Sequence, residues 1–109
     1  MRLMENELIC GLTPDQINEL KAKHGALSLV TVSEGDAKYL GVFKEPTMEA
    51  LSAITALSKQ DEVKASIALF DNCVLACDDA MKKRPRVRLS AIAQLSEIMK
   101  PLEGNIKNL

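Results

Sequence analysis

Hydrophobic and polar positions alternate along this chain in two different rhythms, and the change between them divides it. From Leu12 to Gly25 the pattern is that of a short helix. Thr13 is placed to cap it, Pro14 fits the first helical position, and Gln16 stands where a capping box needs it. Leu12 and Ile17 have the spacing of a hydrophobic staple, Ile17 and Leu20 mark one face, and Gly25 supplies the stop. The next segment, 27–44, has the rhythm of a β-hairpin. Leu27 to Val32 and Ala37 to Lys44 are two runs rich in apolar and β-branched residues, separated by the turn chemistry of Ser33-Glu34-Gly35-Asp36. Neither run alternates cleanly. Leu27 and Leu29 oppose Val30 and Val32, and Leu40 and Val42 oppose Tyr39 and Phe43, so both faces of the ribbon carry apolar side chains. An isolated ribbon is marginal in water, so one face must pack on helices. The other either meets a partner or a second copy of the chain, or is covered by a loop folding over it.

From 47 to 100 the rhythm is helical again. Thr47 caps a helix running to about Ser58, with Met48, Leu51, Ile54 and Leu57 on one stripe. Asp61 caps the next, in which Val63, Ile67, Phe70, Val74 and Cys77 recur at steps of four, three, four and three, a seam expected to be buried. Asp78 and Asp79 oppose the dipole at a helix C-terminus and fit better as caps of a new turn, Ala80 to Arg84, before Pro85. A last amphipathic helix carries Leu89, Ile92, Leu95 and Met99. Pro101 ends or kinks it, and Gly104 to Leu109 reads as a tail. The expectation is a single α+β, mostly α domain over 1–109: an N-terminal helix (12–25), a β-hairpin (27–44), and a three- to four-helix bundle (47–100).

Composition sharpens this picture in three ways. A chain of 109 residues with 47% apolar and 27% charged side chains has the make-up of one globular domain. Aromatics are confined to Tyr39, Phe43 and Phe70, so the core must be aliphatic. Net charge is −1, but residues 1–81 hold 7 basic and 13 acidic side chains (−6) while 82–109 hold 7 basic and 2 acidic (+5). Such a dipolar layout favours oriented contact with a charged partner. The opening residues include Glu5 and Glu7 and lack the apolar run of a signal peptide. No stretch has the length of a membrane-spanning helix, and three cysteines (Cys10, Cys73, Cys77) do not make a disulfide framework. A cytoplasmic protein is expected.

The chemistry-bearing residues point away from catalysis. His24, the one histidine, falls at the end of the first helix, where it satisfies free carbonyls. Phosphate loops, nucleophile elbows and metal-protease motifs are absent, and no enzyme activity or cofactor is expected. Cys73 and Cys77 would lie one helical turn apart, but two ligands do not close a metal site and cysteine packs well as a small hydrophobe. The sharpest local feature is Lys82-Lys83-Arg84-Pro85-Arg86-Val87-Arg88, with cations at Lys82, Lys83, Arg84, Arg86 and Arg88. Five cations give strongly salt-dependent binding to phosphates. Against nucleic acid stand a pI near 5.8 and the lack of interleaved aromatics. A solvated loop or a patch for an acidic protein fits better.

The order of elements, with the junction Phe43-Lys44-Glu45-Pro46-Thr47 and the segment Asn72-Cys73-Val74-Leu75 followed by Asp78, resembles a phage or prophage tail assembly chaperone. The similarity runs from about Leu12 to Gly104, and the basic run is not part of it. The resemblance implies a protein that coats the long, helical tape-measure protein before the tail tube polymerises, and whose frameshifted longer form recruits the tail-tube protein. A holdase of this kind needs an apolar groove or sheet face and no chemistry. Leu51, Ile54, Phe70 and Val74 would line such a groove, although they serve equally as core. Tyr39 and Phe43 are the expected partner-binding side chains on the ribbon. The alternatives are a nucleic-acid-associated protein using Lys82 to Arg88, or an oligomeric adaptor pairing through its hairpin.

Overall fold

A computed structural model describes residues 8–100 and 102–109; Glu5, Glu7 and Pro101, which entered the sequence reading, lie outside the described residues. The chain runs α1 (Pro14–His24), β1 (Leu27–Glu34), β2 (Ala37–Lys44), α2 (Met48–Ser58), α3 (Glu62–Cys73), β3 (Val74–Cys77), α4 (Asp79–Lys83) and α5 (Pro85–Leu95), with a 3-10 turn over Ser96–Met99. The class is α+β, with five helices and a three-stranded antiparallel sheet in the order β1-β2-β3 among the described residues.

Local chemistry sets most element starts. The Gln16 backbone N–H donates to Thr13 Oγ1 at 3.2 Å and the Thr13 N–H to Gln16 Oε1 at 2.9 Å, a complete capping box. Thr47 Oγ1 accepts from the Ala50 N–H at 3.1 Å and Asp61 Oδ1 from the Lys64 N–H at 3.1 Å. β1 and β2 pair from Leu27↔Lys44 to Glu34↔Ala37, leaving a two-residue turn in which Gly35 takes φ +59°, a left-handed value that favours glycine.

The third strand changes the architecture expected from sequence. The seam from Val63 to Cys77 reads as one helix, yet α3 stops at Cys73 and Val74–Cys77 pairs with β2. Val42 faces Ala76 while Phe43 faces Val74, so Leu75 forms a bulge in β3. A short apolar run beside an unpaired strand edge gains more from ladder hydrogen bonds than from another helical turn. Asp78 completes the pairing: its N–H donates to the Leu40 carbonyl at 2.9 Å, and its carboxylate accepts from the Leu40 N–H at 2.7 Å. Asp78 therefore stands at the start of α4 without a side-chain cap bond there.

The core lies between the sheet and the helices. Val30, Val32 and Phe43 project from the inner face onto Leu69, Phe70 and Cys73 of α3, Met81 of α4, and Val87, Ala91, Ile92 and Leu95 of α5. Phe43 and Phe70 meet edge to face, ring centroids 5.4 Å apart. Gly41 sits in the middle strand because space demands it: a Cβ there would stand 2.6 Å from Phe43 Cε1 and 2.7 Å from Met81 Sδ. The outer face carries Leu27, Leu29 and Val42, with Ile9 and α1 against it. Among the described residues no helix is long and apolar enough to cross a membrane.

A candidate docking groove and the basic run

Both aromatic positions expected on the ribbon surface are turned inward. Phe43 is fully buried, at 0% exposure, and belongs to the core and not to a partner-binding surface. The physical reason is volume. With apolar groups on both faces of the ribbon, the helices close over the face whose large side chain can fill the space between layers. Tyr39 shares that face but lies near its rim, half-buried, where its hydroxyl accepts from Arg84 Nη1 at 3.0 Å. Of the helix positions named for a groove, Ile54 and Phe70 are buried core, while Val74 is half-buried in β3. Leu51 flanks a shallow outer hollow beside Met48.

The basic run is not one cationic patch. Arg84 grips Glu34 in a fork, Nη1 to Oε1 at 2.7 Å and Nη2 to Oε2 at 2.8 Å, tying the hairpin tip to the α4–α5 junction. The hydrogen bonds from Arg84 hold the Glu34 carboxyl below its ordinary range, and the same contact raises the Arg84 guanidinium. Arg88 donates to Asp71 Oδ1 at 2.8 Å, and its guanidinium carbon lies 4.8 Å from the Phe70 ring centroid. That stacking offsets the loss at Arg88 Nε, which is buried with no hydrogen-bond partner among the described residues. Lys83 stands 4.0 Å from Asp79, a solvated pair of little energetic consequence. Arg86 lines a small polar hollow with Glu34 and Ser90, and Lys82 faces a different feature.

That feature is an apolar groove of about 460 Å³ between α3 and α5. Val63 and Ile67 form one wall, with Ser66 between them, Pro85, Leu89 and Ile92 the other, and the charged side chains in its lining are Glu62, Lys82 and Arg88. Val63 is 68%, Ile67 39% and Leu89 65% exposed, although the sequence pattern assigns all three to buried stripes. The helices are apolar on more than one stripe, and the stripe that packs is the one with small members. Ala65, Leu69 and Cys73 on α3 meet the protein interior, as do Val87, Ala91 and Leu95 on α5. Small residues allow the backbones to approach, which leaves the bulkier Val63–Ile67 and Leu89 stripes outside. The positions of Ala65, Cys73 and Ala91 are the signal in the sequence that would have located the groove. Full burial of a Val, Leu or Ile side chain is worth about 1.5–3 kcal/mol, so the exposed parts of these three hold roughly 3 kcal/mol for whatever covers them.

Thiol chemistry does not add a reactive centre here. Cys73 closes α3 in the core and Cys77 ends β3, so the helical spacing that would have set them side by side does not exist. Burial, with Asp78 and Cys77 adding to it, pushes the Cys10 thiol up to about 11, and its Sγ donates to the Leu40 carbonyl at 3.1 Å. Burial likewise raises Cys73 and Cys77. Among the described residues no three His, Cys, Asp or Glu side chains gather as a metal set. No family model matches the chain, and no curated protein or solved structure shows significant similarity to it.

Proposed function

We propose that this chain is a non-catalytic protein-binding module whose α3–α5 groove takes up an apolar helical segment of a partner. The observation that carries the reading is the groove itself: three large apolar side chains, Val63, Ile67 and Leu89, left 39–68% exposed along two helices that otherwise pack into the core. Two walls of helix accept a third amphipathic helix by its i, i+3, i+4 stripe, one of the recurring modes of peptide recognition. The role that fits this best is the one the sequence resemblance implies, a phage tail assembly chaperone that shields a tape-measure protein. The tail-tube protein is then a second partner, brought in by a longer form. A holdase needs neither a cofactor nor a nucleophile, and a cytoplasmic site of action goes with it. The nucleic-acid reading loses its motive where Arg84 and Arg88 are spent on Glu34 and Asp71.

The test is co-expression with a candidate tape-measure protein, followed by capture at low and high salt. Retention through high salt, lost on Val63→Glu or Leu89→Glu and kept on Arg86→Glu, supports the reading. Both groove positions are largely exposed, so the variants keep their fold. A tape-measure protein that stays insoluble with the wild-type chain, or capture that survives both groove variants, refutes it.

A further inference from the structure

Nine large apolar side chains are exposed among the described residues, and six of them fall in two places. Three line the groove: Val63, Ile67 and Leu89. The other three are Leu102, Ile106 and Leu109, which stand 95% or more exposed on a segment without secondary structure after the 3-10 turn. Their spacing is i, i+4, i+7, the stripe of a two-turn amphipathic helix. Eight residues with Gly104 among them do not hold a helix alone in water, which accounts for the extended form. Such a segment becomes helical when its stripe is buried.

We infer that segment 102–109 of one copy docks as a helix into the α3–α5 groove of a second copy of this chain. Size and shape agree: the segment brings one apolar stripe, and the groove is an unfilled seat between two helix walls. Charge agrees as well. The segment carries Glu103 and Lys107 four apart, beside its apolar stripe, and the groove lining includes Lys82 and Glu62, neither of which is in an ion pair among the described residues. Each partner thus offers one charge of each sign to the other.

In this structure the segment stands off its own body, with Leu102, Ile106 and Leu109 each 95% or more exposed, and leaves the groove of the same copy open. Reciprocal exchange between two copies fills both grooves and closes a two-fold dimer with two docked segments. The inference rests on reading the groove as a binding surface. It adds regulation, because a self-docked groove is closed to the tape-measure helix until that helix displaces the segment.

Sedimentation velocity on the 109-residue chain, over a wide concentration range, tests it. The wild type is expected to self-associate, and Leu102→Ser/Ile106→Ser and Val63→Glu/Leu89→Glu are each expected to weaken that association roughly tenfold or more. Circular dichroism and thermal melting check that both variants stay folded. Mixing the two variants is expected to restore a one-armed heterodimer, since one supplies an intact segment and the other an intact groove. A wild type that is monomeric throughout overturns the inference, as does a dimer that survives either double substitution or a mixture that stays monomeric. Capture of the tape-measure protein separates this from the functional reading. If the groove variant loses capture while the wild type never self-associates, the docking partner stands and the self-docking falls. If self-association follows the variants while the tape-measure protein is never held, the reverse is true.

Discussion

Replacing Phe43 by alanine is the sharpest test of how this molecule is layered. The side chain has 0% exposure, lies edge to face on Phe70 at 5.4 Å, and shares the centre of the core with Met81. Truncating a buried phenylalanine costs about 3–5 kcal/mol through lost transfer energy and the cavity left behind. The aromatic pair, worth about 0.5–1.5 kcal/mol beyond area, pushes the value toward the upper end. Domains of this size are stable by about 5–15 kcal/mol, so a third or more of the total is removed. Urea unfolding followed by far-UV circular dichroism reads it directly. With an m-value near 1.5 kcal/mol/M, about 4 kcal/mol moves the midpoint down by roughly 2–3 M. Phe43→Leu, which keeps most of the volume, is expected to cost about 1.5 kcal/mol or less. Were Phe43 a surface side chain, alanine would change stability by less than about 0.5 kcal/mol. A shift that small would refute the packing of the sheet's inner face on α3 and α4.

Other perturbations test separate parts of the account. Gly41→Ala drives a methyl group to 2.6 Å from Phe43 and 2.7 Å from Met81, and is expected to cost about 1–3 kcal/mol in the same urea assay. Met81→Ala is itself destabilising, but in its background the added cost of Gly41→Ala should be smaller, as a double-mutant cycle would read. Glu34 is held below its ordinary 4.5 by Arg84. Its contribution is therefore present above that value and lost as pH falls through the lowered one. The stability gap between wild type and Glu34→Gln should close on acidification from pH ~6 to ~3, and a gap independent of pH would count against the bridge. With Cys10 raised to about 11 and Cys73 and Cys77 raised by burial, the native chain should alkylate far more slowly at pH ~8 than in urea, as peptide mass spectrometry would show. Rapid native labelling of Cys10 would mean its environment is misread.

Sequence reasoning succeeded where the determinant is local. Thr13 with Gln16, Thr47 and Asp61 write their own helix starts, because the side chain that caps lies within three residues of the N–H it satisfies. The α+β class follows from the two rhythms. What the sequence hid depends on long-range choices. Val74 to Cys77 continues a helical period and is equally a four-residue strand, and only the free edge of β2, some thirty residues earlier, decides between them. Tyr39 and Phe43 are apolar on a ribbon that is apolar on both faces, so alternation alone did not tell which side the helices would cover. The groove was missed for a related reason. Val63, Ile67 and Leu89 are core-type residues in core-type periods, and α3 and α5 each carry a tighter stripe that wins the interior. The basic run was legible as charge but not as pairing, since Glu34 lies 50 residues from Arg84.

The most direct test of the groove as the working surface is amide hydrogen exchange on the chain with and without a bound partner captured with it, for which the proposed candidate is a tape-measure protein. Added protection is expected along α3 (Glu62–Cys73) and α5 (Pro85–Leu95), with α1 and the outer face of the sheet around Leu29 unchanged. Protection that appears instead along β1 and the outer sheet face, with α3 and α5 exchanging as in the free chain, would contradict it.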